Sequence, residues 1–369
     1  MNDVLHSLPE SPQDITPLLL TTFLRQAGVL SQEHVTTLSV TPLAALASYN
    51  AQLARLSVAY SESPGGAPSS YVIKLSPRAA DLKQHVTILQ PSTKEGWFYR
   101  SAAQRTPIPV PRCYLNLIEH DTQRSLLLLE DLAPAITGNQ ITGVSINDAT
   151  SVLTLLAKLH GTWWARHHTD AIHELRNLTN HTDDISRLVR QWYQAAWPDF
   201  VAQSPVGLTN TVRQFGTALC AGTGRTDTLL DTAPHTLLHG DFRLENMLFH
   251  NQHGATTWWV IDWEDIGLGN AMSDVAWFIG GCVPIESPMV EQALLQHYYA
   301  ALVTQGVQQY SWEQCHRDYR MAMCHCFVQG ILTATAVGER DTHRRALGAV
   351  VGQRFIAACT RLRLWELYL

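Results

Sequence analysis

The sequence predicts an α+β protein of two unequal lobes: a small β-rich N-terminal lobe and a larger, mostly helical C-terminal lobe. Three observations carry this. The chain has 369 residues, more than one ordinary compact domain holds. Its texture changes near residues 130–134, from short bounded apolar runs to long stretches with helical spacing. Apolar residues make up 46% and charged residues 16%, enough for a core in each lobe and outside the composition of disordered chains. The expected divisions are an N-terminal helical extension over 1–34, a first lobe over 35–131 and a second over 132–369.

Taken in order, residues 14–30 read as an amphipathic helix. LARLSVAY (53–60) and SYVIKL (70–75) read as strands of a hairpin around the Ser63-Pro64-Gly65-Gly66 turn, and 85–89 as a further short strand. Pro91 to Glu95 opens a helix running to about Gln104. After the proline-rich link 106–114, a second hairpin pairs 115–119 with 125–130 around His120-Asp121. Beyond Asp131 the chain is helical over 147–160 and onward to about 230, with interruptions near Pro198 and Pro205. A β interlude covers 236–262, and helices return from 271 to 369.

The net charge of −6 and pI near 6.3 argue against a nucleic-acid partner, which asks for a basic surplus. Seven scattered cysteines fit a reducing compartment rather than a disulfide framework. Cys315, Cys324 and Cys326 lie among Met321, Met323, Phe327 and Val328, which reads as buried thiols rather than a metal site. The N-terminus lacks a basic start and apolar run, and no window holds about 18 uncharged apolar residues. A cytoplasmic chain with no membrane span is expected.

The sharpest chemical signal is His239-Gly240-Asp241-Phe242-Arg243-Leu244-Glu245-Asn246, set between apolar runs. An Asp and an Asn five apart on such a loop can face one site, the Asp accepting a hydroxyl proton and the Asn offering an oxygen to a hard cation. Downstream, Trp258-Trp259-Val260-Ile261-Asp262 is an apolar run ending in a carboxylate, which is costly to bury unless paired or metal-bound. A hairpin turn over 250–257 would bring Asn246 and Asp262 to one end, where two protein oxygens and phosphate oxygens suit Mg2+.

HGDFRLEN followed by VIDWED resembles the aminoglycoside phosphotransferase and choline-kinase-like superfamily, relatives of the protein kinases. There H-G-D replaces H-R-D and I-D-[WF] replaces D-F-G. With AKLHGTWW (157–164), the pattern is similar to the phosphotransferase and ecdysteroid-kinase-like branches, over about residues 35–340. The resemblance implies a bilobal protein-kinase-like fold and an ATP-dependent kinase acting on a small-molecule hydroxyl. ATP and Mg2+ would lie between the lobes, with Asp241 as the catalytic base and Asn246 and Asp262 on the metal.

It also implies a strand lysine for the α/β-phosphates. Only four of the 26 Lys and Arg residues are lysine, and Lys74 is the one amid apolar strand neighbours. A snorkelling surface lysine is the alternative. Glu95 is the acidic residue placed to pair with it; Ser92-x-x-Glu95 also reads as a capping box. The chain departs from the family where a glycine-rich nucleotide loop is expected: residues 42–50 have no glycine, leaving Ser48, Tyr49 and Asn50 as donors, with Ser48 and Asn50 assigned to the nucleotide. Glu130 to Leu132 resemble the hinge that reads adenine through main-chain groups. His160, Asp274 and His239 are assigned structural roles. Arg243 is open between phosphate or substrate contact and pairing with Glu264 or Asp265.

Trp163, Trp192 and Tyr193, with Trp164, Trp197, Trp312 and Tyr319, are candidate acceptor walls. If several faced the cleft, the acceptor would be large and apolar; aromatics at helical spacing otherwise belong to the core. The competing class is a degenerate kinase-fold module that binds nucleotide or ligand without transfer, supported by the glycine-free loop and opposed by intact Asp241, Asn246 and Asp262.

Overall fold

The structure, a computed structural model, describes residues 8–43, 51–62, 65–76, 90–119, 122, 124–166, 169–179, 182–203, 208–222, 230, 234–252, 254–336 and 342–368. The chain forms two units. One comprises Met1–Arg105, Pro109–Ala135 and Ile261–Asp265; the other comprises Thr106–Ile108, Ile136–Val260 and Ile266–Leu369. The expected strand at 85–89 and the Ser48–Asn50 donors lie outside the described residues.

The first unit is built on a five-stranded antiparallel sheet of β1 (Val35–Pro42), β2 (Gln52–Tyr60), β3 (Ser70–Leu75), β4 (Cys113–Glu119) and β5 (Arg124–Glu130), in the order β1-β2-β3-β5-β4. Period-two alternation on β3 sends Tyr71, Ile73 and Leu75 to one face, all fully buried. That face packs on α1 (Pro17–Gln26), whose start is fixed by Thr16 accepting from the Leu19 N–H at 3.2 Å and by Pro17 at the first helical position. Leu8, Ile15, Leu20, Phe23 and Leu24 join Ala54, Leu56, Leu126 and Leu128 in one core. The N-terminal residues from Leu8 onward are thus part of this unit rather than an extension to it.

The helix expected over 91–104 is irregular. α2 (Pro91–Trp97) gives way to a π-helical turn, Phe98–Ala102, and then a 3-10 turn, Ala103–Arg105. Phe98 stacks on Trp263 with centroids 3.8 Å apart and planes 6° apart, which seats the turn Trp263–Asp265 against this helix. On the other side, Asn116 donates to the Gly96 carbonyl at 2.7 Å.

In the second unit, α3 (Ile146–Trp163) starts at Ser145, whose hydroxyl accepts from the Asp148 N–H at 3.1 Å. α4 (Asp170–Leu178), α5 (Thr182–Gln203) and α6 (Asn210–Leu219) follow. α5 runs through Pro198 instead of breaking there. Trp197 stacks between Tyr193 and Phe200, with centroid distances of 5.8 and 6.0 Å, and this packing holds the helix across the proline.

The β interlude is two small sheets. β7 (His235–Leu238) pairs with β10 (Gly267–Asn270), while β6 (Ile136–Thr137), β8 (Met247–Gln252) and β9 (Ala255–Val260) form the other, with Met247 opposite Val260. The remainder is α7 (Met272–Cys282), α8 (Pro288–Thr304), α9 (Trp312–Thr335) and α10 (Thr342–Leu362). Buried Glu291 on α8 ties the last two helices: it accepts from Tyr319 and from Arg361, each at 2.8 Å. No helix of the described residues is long and apolar enough to cross a membrane.

Candidate active site

Within the first unit, β3 and α2 bring Lys74 and Glu95 together. Lys74 Nζ lies 2.6 Å from Glu95 Oε2, 2.5 Å from Asp262 Oδ1 and 3.8 Å from Glu264 Oε2. The capping-box alternative for Glu95 does not form: the first residue before α2 is Gln90, and no side chain caps the helix. Asp262 has a left-handed backbone, φ 65°, which an aspartate tolerates better than most residues.

Burial works to lower the Lys74 pKa, but the charges of Glu95, Asp262 and Glu264 outweigh it and hold the ammonium well above its usual value. The carboxylates feel the reverse. Burial raises Glu95 above its ordinary value despite Lys74. Glu264 is pushed up to about 8, first by burial and then by the charge of Asp262. Three carboxyl groups thus share one ammonium, and the surplus negative charge suits a hard cation beside Asp262. Among the described residues no group of three or more His, Cys, Asp or Glu side chains could hold a metal alone. Mg2+ asks for no such cage, because it takes one or two protein oxygens and leaves the rest to phosphates and water.

This arrangement predicts a pH dependence. Glu264 holds its proton in the folded protein up to about 8 but releases it near 4.5 when unfolded. The folded state therefore binds more protons across that window, and stability falls as pH rises through it. In EDTA the melting temperature of Glu264→Gln should fall less than that of the wild type between pH 4.5 and 8. Equal slopes would contradict the placement of Glu264 in this cluster.

In the second unit, β7 delivers the chain into His239-Gly240-Asp241. Gly240 takes φ 88°, a left-handed turn that suits glycine. Asp274, 1% exposed, accepts from the N–H groups of His239 at 2.7 Å and Gly240 at 3.0 Å, fixing the turn from α7. Asp274 also meets His160 Nε2 at 3.3 Å, and His160 Nδ1 meets the Tyr298 hydroxyl at 2.7 Å. His160 is fully buried in this network.

The turn presents the Asp241 carboxylate to three donors. Arg243 Nε and Asn246 Nδ2 reach Oδ2 at 2.7 and 2.9 Å, and Trp277 Nε1 reaches Oδ1 at 2.9 Å. Burial works to raise the Asp241 pKa; the Arg243 charge and hydrogen bond, the charge of His239 and the Trp277 hydrogen bond outweigh it, so the carboxyl sits below its usual value. Asn246 also donates to the Asp241 carbonyl at 2.9 Å, so its amide nitrogen is committed and its oxygen is the atom left for a ligand. Asn246 immediately precedes β8, and Asp262 comes two residues after the end of β9.

Several expectations are corrected. Arg243, left open between several partners, bridges Asp241 and Glu245, the latter at 2.6 Å through Nη1, because both acids lie two residues away on the same turn. Tyr193 is 1% exposed, donates to the Gly216 carbonyl at 3.0 Å and stacks on Trp197, so it belongs to the core. Trp163 is buried at the end of α3, while Trp192 faces outward at 47% exposure. These three form no common wall. Trp277 and the clustering of Glu264 were missed. Each reaches its partner through chain-distant packing, and only the adjacency of Glu264 to Asp262 gave a signal.

Glu130 ends β5; its N–H donates to the Arg112 carbonyl at 2.8 Å. The Leu132 carbonyl accepts from Ala135 at 2.9 Å, and among the described residues the Leu132 N–H donates to nothing.

A five-stranded sheet carrying a buried Lys–Glu pair, with a helical unit carrying an H-G-D-x-x-x-x-N turn, defines the protein-kinase-like class of phosphotransferase. The chain belongs to the APH phosphotransferase enzyme family, whose model matches residues 61–310. Among solved structures it is similar to a provisionally assigned aminoglycoside phosphotransferase of Ralstonia eutropha (TM-score 0.52, 14% identity, covering 93% of this chain and 97% of that one). It is also similar to aminoglycoside 2'-phosphotransferase-IIIa in its GDP complex (0.50, 13%, 93% and 99%) and to a Plasmodium vivax ethanolamine kinase (0.50, 11%, 87% and 81%). At these identities the likeness is one of fold. A search of curated proteins returns no match.

Proposed function

We propose that the protein is an ATP-dependent kinase that transfers the γ-phosphoryl group to a hydroxyl of a small molecule. The observation that carries this is Asp241: a carboxylate on the family's catalytic turn, ionised and aimed by Arg243, Asn246 and Trp277.

Lys74, held by Glu95, takes the α/β-phosphates, and main-chain groups of Glu130–Leu132 take the base. Asp262 and the Asn246 amide oxygen are the residues that would hold Mg2+, which would supply positive charge to the phosphates. Asp241 orients the acceptor hydroxyl and receives its proton as that oxygen bonds to the γ-phosphorus. The bond from phosphorus to the β-phosphate oxygen breaks and ADP leaves. Positioning and fixed charge supply most of the acceleration in such transfers.

The test is ADP formation from Mg2+-ATP and, because one structural relative holds GDP, GDP formation from Mg2+-GTP. Both are run against a panel of sugar, amino-alcohol, macrolide and aminoglycoside acceptors, with 31P NMR of the product. A new phosphate monoester supports the reading. Bound nucleotide with no transfer to any acceptor or to water would count against it.

A further inference from the structure

The two faces of β2 and β3 differ. Ala54, Leu56, Tyr71, Ile73 and Leu75 point into the core. Leu53, Arg55, Val72 and Lys74 therefore share the opposite face, since the register sets Leu53 beside Lys74 and Arg55 beside Val72. Leu127 and Leu129 continue that face on β5, opposite Lys74 and Val72. Glu95 of α2 covers its Lys74 end, while Leu53, Arg55 and Val72 stay partly exposed.

Arg55 stands at the open end of this apolar strip, and it is clamped. Its Nε lies 2.7 Å from Asp131 Oδ2 and its Nη2 3.1 Å from Oδ1. The Asp131 side chain is 3% exposed and is itself held by the Ala133 N–H at 3.2 Å and by Ser70. A bidentate pair fixes the plane of a guanidinium. The Arg55 side chain remains 39% exposed, so the pair adds little stability by itself. What results is a flat, fixed cation held at the Asp131 end of the strip, on the same face as the lysine assigned to the polyphosphate.

We infer that Arg55, clamped by Asp131, is the platform on which the base of the nucleotide stacks. This rests on the nucleotide-binding reading above and names how that site gains affinity at its base end. A guanidinium engages the π-face that every base presents. The contact therefore adds affinity without choosing between adenine and guanine, and discrimination falls to the ring edge and the main chain around Leu132.

The test is isothermal titration of the full-length protein, in Mg2+, with ATP, GTP and inorganic tripolyphosphate, on the wild type, Arg55→Leu and Arg55→Lys. Arg55→Leu should weaken ATP and GTP by a similar factor, about tenfold or more, and leave tripolyphosphate unchanged. Arg55→Lys, which keeps the charge and loses the plane, should recover little of that loss. Wild-type ATP affinity in Arg55→Leu would overturn the inference, as would an equal loss of tripolyphosphate or full rescue by lysine. A wild-type protein that binds tripolyphosphate as tightly as ATP overturns the stacking alone. One that binds none of the three overturns the nucleotide reading as well.

Discussion

Phosphoryl transfer by Asp241→Asn falls about 10²–10⁴-fold, the range for loss of a positioned general base or a fixed charge at the reacting centre, while Mg2+-nucleotide affinity holds. The substitution keeps the shape of the side chain and removes its charge and proton affinity. Arg243 retains Glu245 as a partner, so the turn stays closed. His239 and Gly240 remain tied to Asp274, so the backbone under residue 241 does not move. The nucleotide is assigned to Lys74, Glu95 and the main chain of Glu130–Leu132, and the metal to Asp262 and Asn246, whose amide nitrogen keeps its bond to the residue 241 carbonyl in the variant. The check is steady-state turnover with the acceptor found in screening, beside calorimetric nucleotide affinity. Turnover equal to the wild type would remove Asp241 from the mechanism, and parallel loss of nucleotide binding would recast it as a binding residue.

Lys74→Met should cost about 3–5 kcal/mol of stability at neutral pH, the usual effect of removing one partner from a buried ion pair. Methionine matches the stem but leaves Glu95, Asp262 and Glu264 with no ammonium among them, two of them already raised in pKa with it present. The sign of the pH dependence follows. Without Lys74 the folded-state pKa values of Glu95 and Glu264 rise further above their unfolded values. The folded state then binds more protons, and the deficit grows as pH rises and shrinks as pH falls. Urea unfolding of wild type and variant across acid and neutral pH measures this. A deficit below about 1 kcal/mol, the size of an exposed ion pair, would contradict the buried cluster.

The elements legible in the sequence are those whose cause is local. SYVIKL alternates with period two and is a strand over the expected residues, Ser70–Leu75. Asn147 to His160 shows helical spacing and lies within α3. The H-G-D turn and its asparagine are a contiguous pattern, and one residue type, the scarce lysine, marked Lys74. What was not legible is set by tertiary packing. Trp277 reaches Asp241 from 36 residues away. Residues 261–265 leave a hairpin of the second unit yet belong to the first, drawn by the Trp263–Phe98 stack. α5 passes through Pro198 because aromatic stacking overrides a local breaker. Tyr193 and Trp163 proved buried for the same reason: aromatic spacing on a helix reports a buried face without saying whether a ligand or another helix covers it.

The most direct test of the central claim is the melting temperature of the wild type and Asp262→Ala in Mg2+ alone and in Mg2+ with ATP, GTP or ADP. Nucleotide at about 100 times its dissociation constant adds roughly 2.7 kcal/mol of stability. The account predicts an upward shift of the wild type that needs both metal and nucleotide and is lost in Asp262→Ala. No shift with any nucleotide, or a shift that survives in Asp262→Ala, would contradict it.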